Sequence, residues 1–145
     1  MTDNSSLIAR QSPAALYLFL DAMRCWGVAR RAGQPTLVRL HARLGRHGWA
    51  QLLPAIDSLL DLSEAMLGRR LRLGRGPALS DDENMLINLL QGRPIAPIVH
   101  QCSDAVACAF CSAVRSMQIL MDMELGRTEQ KRAASSLVAV RWALT

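Results

Sequence analysis

The sequence predicts an all-α fold: one domain of about six helices packed around a long central helix at about 97–124. Three observations carry this. Apolar residues recur at spacings of three and four through most of the chain, and no stretch alternates with the period of a strand. Glycine and proline cut the chain into blocks of helix length. The stretch from Pro97 to Glu124 is apolar on most of its circumference, which marks an element enclosed by others.

At 145 residues the chain has the length of one domain able to bury a core. Half of it is apolar but only 4% is aromatic, so that core must be built from Leu, Ala, Val and Met. Residues 1–11 are polar and read as a disordered tail, leaving 12–145 as the helical domain.

The first helix is expected from Ser12 to Ala32, with Pro13 at its first position and Gly33 beyond its end. Its inner side is Leu16, Phe19, Leu20, Met23 and Trp26, widened by Leu18, Ala22, Cys25 and Ala29. A second helix opens at Pro35-Thr36 and runs to about His47, with Leu37, Leu40 and Leu44 inward and Arg39, Arg43 and Arg46 on one flank. Gly48 ends it. A third helix follows Trp49 and runs to Leu67, with Pro54 in its first turn and Asp57, Asp61 and Glu64 as an acidic stripe. In an antiparallel hairpin those acids would lie level with the three arginines, although the two stripes fall on opposite flanks of their leucine seams.

Residues 68–77 carry three glycines and Arg69, Arg70, Arg72 and Arg75, and read as a basic loop. Ser80 and Glu83 then form a capping box, with Asp81 and Asp82 between them at the positive end of a fourth helix dipole. Met85, Leu86, Leu89 and Leu90 are its buried side. The central helix comes next and stops at Gly126, and Thr128 caps a last helix to Trp142 with Ala133, Ala134, Leu137 and Val138 inward.

Four cysteines without scaffold-like spacing, in a chain that needs no staples, read as reduced thiols. The pair Cys108-Ala-Phe-Cys111 is the sharpest chemical signal, because cysteines three apart share a helix face and can exchange protons or cycle through a disulfide. This string resembles the CxxC of the all-helical alkylhydroperoxidase-like (carboxymuconolactone decarboxylase) family, in which a histidine four residues after the second cysteine and an upstream glutamate relay protons. The resemblance implies a thiol peroxidase or oxidoreductase. Here Arg115 stands at the histidine position and no glutamate occurs between Gln91 and Ala107. Arg115 can lower a thiol pKa by its charge but cannot shuttle protons near neutrality. The simpler expectation is that both thiols are small packing residues.

His100, Cys102, Cys108 and Cys111 offer zinc-binding side chains. On a continuous helix Cys102 and Cys111 face opposite sides, so only a helix starting near Ser103 lets His100 and Cys102 fold back. No cofactor is implied.

The formal net charge is +5, and its excess sits early: residues 1–75 hold eleven arginines against five acids. Arg39, Arg43, Arg46, Arg69, Arg70, Arg72 and Arg75 could form an anion-binding surface for nucleic acid or an anionic membrane. No base-stacking aromatics are interleaved with them, and the helix after Gly48 is acidic where a DNA reader would be basic. The arginine skew, with Lys131 the one lysine, is equally the mark of a GC-rich bacterial genome.

No 18-residue apolar run is free of charge, and the start lacks a secretory pattern, so no transmembrane segment and a cytoplasmic location are expected. The favoured expectation is a non-catalytic module that forms a homodimer through apolar helix faces, with a regulatory or adaptor role and a possible protein partner. Two other readings stand beside it: a thiol enzyme on Cys108 and Cys111, and an anion-binding protein.

Overall fold

The computed structural model describes residues 13–93 and 102–143. Five α-helices account for about three quarters of them: α1 Pro13–Arg31, α2 Thr36–Leu44, α3 Leu53–Leu67, α4 Asp81–Leu90 and α5 Asp104–Ala143, with one 3-10 turn at Gly45–His47 after α2. No strand occurs among the described residues, so the all-α expectation holds. The proposed tail at 1–11, His100 and the expected helix start at Pro97 lie outside the described residues.

Local signals set the helix boundaries. Proline sits in the first turns of α1 and α3, where its missing N–H costs nothing. Gly68 closes α3 in the left-handed conformation, φ 66°, and its N–H returns to the carbonyl of Glu64 at 2.9 Å. The capping box at α4 is complete: the Ser80 N–H donates to Glu83 Oε1 at 2.9 Å, and the Glu83 N–H donates to Ser80 Oγ at 3.1 Å.

Helices α1 and α3 supply most of the core. Phe19, Ala22, Met23 and Trp26 of α1 meet Ile56, Leu59, Leu60 and Met66 of α3, while Leu40 and Leu44 of α2 and Leu86 and Leu90 of α4 close the sides. Asp57 ties three helices at one oxygen: it accepts from Trp26 Nε1 at 2.9 Å and from Thr36 Oγ1 at 2.6 Å. This commits the acidic stripe of α3 to α1. Arg30 reaches Glu64 at 3.2 Å, whereas Arg43 of α2 turns to Asp21 at 2.8 Å. The α2 to α3 ladder of arginines and acids is therefore not formed, because burying Leu40 and Leu44 swings the α2 arginines toward α1.

The long helix departs from expectation in three ways. It starts at Asp104, and it continues through Gly126 to Ala143, so no separate last helix exists; Ala133 and Ala134, expected inward, are exposed. It is also not enclosed. Between Asp104 and Glu124 only Phe110, Val114, Met117 and Met121 are buried, a single stripe that packs against α3 and α4. Gln118 fastens the contact by donating to the carbonyl of Leu89 at 2.9 Å, which also accepts the Gly92 N–H at the end of α4. The centre of the bundle is α1 and α3, and α5 covers one flank.

Candidate functional site

Opposite the buried stripe of α5 runs a second one. Ala105, Cys108, Ser112, Ser116, Ile119 and Met123 recur at steps of three and four, so they share a face, and all six are exposed. Ile119 and Met123 keep 52% and 50% of their surface in solvent. The charged residues Asp104, Arg115 and Asp122 gather along one edge of this face instead of across it. By length and composition alone Asp104–Glu124 also meets the requirement for crossing a bilayer, and only 17% of its most apolar window is buried.

Cys108 and Cys111 are exposed, which overturns their expected role as packing residues. Among the described residues, neither their side chains nor that of Arg115 has a hydrogen-bond or ion-pair partner. Cys102 precedes the helix, as a folded-back zinc site would require. Among the described residues, however, no group of three or more metal-binding side chains comes together.

The predicted arginines do not make one surface. Arg69 is committed to a buried carboxylate, with Nη1 and Nη2 at 2.7 and 2.9 Å from the oxygens of Asp82. That bond and the Arg72 N–H donating to Asp82 hold the basic loop down on the start of α4, while the Leu71 N–H donating to Glu64 ties it back to α3. Arg46 and Arg72 are exposed and line neither cavity of the cleft along α1, and Arg70 lines a separate small cavity with Arg30 and Arg31.

Arg39, Arg43 and Arg75 do converge, together with two arginines of α1 that the sequence reading passed over. Two adjoining cavities, about 340 and 670 Å³, share Asp21, Arg24, Val28 and Arg43 and so form one cleft along the outer side of α1. Arg39 of α2 lines one end, and Arg31 and Arg75 line the other. Arg24 is pinned, donating to Glu83 and to the carbonyls of Gly76 at 2.8 Å and Ala78 at 3.3 Å. Cys25 in the wall donates to the carbonyl of Arg39 at 3.7 Å, and burial pushes its thiol pKa up. The signal for Arg24 and Arg31 was present: Asp21, Arg24, Val28 and Arg31 follow helical spacing on the face opposite Phe19 and Met23.

Compared with known proteins, the chain matches no family model, no curated protein and no solved structure.

Proposed function

We propose that the protein works as a self-associating helical module, two copies meeting antiparallel along the outer face of α5. The observation that carries this reading is the uncovered, uncharged stripe from Ala105 to Met123. A continuous exposed stripe of this kind marks an interaction surface, while scattered apolar residues do not. Covering Ile119 and Met123 would gain about 1 kcal/mol each, since both are already half buried.

The stripe is also self-complementary. Its first half is small, Ala105, Cys108 and Ser112, and its second half is bulky, Ile119 and Met123. A two-fold axis beside Ser116 sets Met123 of one copy over Cys108 of the other and Ile119 over Ser112, so that large meets small twice. That register also brings Arg115 near its symmetry mate at the edge. Association therefore tightens as salt screens the repulsion, and tightens again in Arg115→Gln.

Light scattering over micromolar concentrations is the test. The expected mass is twice 15.9 kDa, falling to one chain in Ile119→Glu with unchanged helicity. A single-chain mass throughout overturns the reading. Cosedimentation of the wild type with lipid vesicles, lost in Ile119→Glu, would instead assign the face to a bilayer.

A further inference from the structure

We infer that the cleft along α1 is a binding site for a small organic anion, an oxyanion head on an apolar body, whose head meets Arg31 and Arg75 while its body lies on Val28 and Ala32. This site is separate from the α5 face.

Charge points to the head. Five arginines, at 24, 31, 39, 43 and 75, line the cleft against one acid, Asp21. Two of the five already hold carboxylates: Arg24 holds Glu83, and Arg43 grips Asp21 through Nε and Nη2 at 2.8 and 2.9 Å. Arg39 spends its Nε on the neutral amide of Gln34 at 2.6 Å, which leaves its charge uncompensated. Arg31 and Arg75 bond to no described residue. Three cations without a carboxylate partner thus face one concavity, and the planar guanidinium fork is matched by carboxylate or phosphate oxygens. The Arg43 to Asp21 pair shows that mode of contact in place.

Shape and floor point to the body. Val28 is 59% exposed, and with Ala29 and Ala32 it gives the cleft an apolar base between its charged walls. A concave site with an apolar floor and a few convergent polar groups is the usual form of a small-molecule site. Neither cavity is lined by an aromatic side chain on which a base could stack, and this favours a small anion over a nucleic acid.

Calorimetric titration at low salt with phenyl phosphate, inorganic phosphate and benzoate tests the site. Phenyl phosphate or benzoate is expected to saturate at one per chain, the better of the two identifying the head as phosphate or carboxylate. Inorganic phosphate is expected to bind more weakly than phenyl phosphate, for want of the apolar body. The double variant Arg31→Gln/Arg75→Gln is expected to weaken binding by about tenfold or more, while Arg46→Gln, outside the cleft, leaves it unchanged. Both arginines are exposed and make no bond to a described residue, so the double variant keeps the fold, which its melting curve checks. The inference falls if none of the three probes saturates, if the double variant binds as the wild type does, or if inorganic phosphate binds as tightly as phenyl phosphate. It also falls, in favour of a polyanion, if duplex DNA binds through Arg31 and Arg75 while the small anions do not.

Discussion

Arg24 of α1 and Glu83 of α4 close a forked ion pair, Nε to Oε2 at 2.8 Å and Nη2 to Oε1 at 3.1 Å, with the Glu83 side chain wholly out of solvent. The same carboxylate accepts the Ser80 N–H of the capping box. One side chain therefore starts α4 and anchors it to α1, so its loss acts twice.

Glu83→Ala is expected to lower stability by about 3 kcal/mol, the low end for breaking a buried pair because Arg24 keeps some access to water. Glu83→Gln is expected to cost clearly less, since the amide oxygen still accepts from Ser80 or Arg24. Urea denaturation of the three proteins checks the order. Equal losses would show that the charge, and not the hydrogen bonds, holds the junction.

The loop backbone presses against this pair. A Cβ on Gly74 would meet Arg24 Nη2 and Glu83 Oε1, both at 2.9 Å, whereas one on Gly76 meets nothing within 4 Å. Gly74→Ala is therefore expected to destabilise by about 1–3 kcal/mol, as overpacking does. Gly76→Ala should be neutral or slightly stabilising, through reduced freedom of the unfolded chain. Thermal melts of the two variants compare them directly.

Acid should unfold the protein through α4. The hydrogen bonds from Arg69 hold the Asp82 carboxyl below its ordinary pKa, against burial and with help from the Arg72 N–H. For Glu83 burial is the largest influence and acts upward, but the Arg24 hydrogen bond and the backbone N–H groups of Ser80 and Gly74 outweigh it, so its pKa is also lowered. Groups depressed in the folded state add stability that is complete above the ordinary carboxylate range, about pH 4, and is lost as pH falls through their native values. Asp61 has the opposite sign: burial raises its pKa, so the fold gains slightly as it takes up its proton. The expected profile is flat near neutrality and falls steeply in acid. Asp82→Asn and Glu83→Gln should each flatten it, as urea midpoints against pH will show.

Thiol chemistry separates the faces of α5. Cys108 and Cys111 are exposed, whereas Cys25 and Cys102 are half buried. A thiol reagent should label two of the four groups rapidly, with Cys25 slower because its thiolate is disfavoured. If α5 pairs as proposed, Cys108 lies in the contact and Cys111 beside it. Raising the protein concentration should then slow labelling at Cys108 alone, read by peptide mass spectrometry. Oxidation should link Met123→Cys to Cys108 of a second copy, while a disulfide between two Cys108 residues would mean parallel packing.

The capping box was legible because it is local: Ser80, Glu83 and the acids between them determine each other within one turn. Helix positions were legible for the same reason, from Pro13, Gly33 and Gly48. The placement of α5 was not. Ala, Ser and Cys suit a close helix contact and an exposed face equally well, so the wheel of 104–124 could not show which side was covered. Partners distant in sequence were also hidden. Nothing near Glu83 announces Arg24, 59 residues away, and nothing near Arg43 distinguishes Asp21 from the acids of α3.

The fastening of the loop after α3 has a consequence for proteolysis. Arg69, Arg70, Arg72 and Arg75 make this the densest cluster of trypsin cleavage points in the chain. Yet the amides of Leu71 and Arg72, which follow Arg70 and Leu71, are tied to Glu64 and Asp82. An enzyme must pull the segment free before it can thread it, so the nick after Arg70 should track release of the loop from α3 and α4 and serve as its clock.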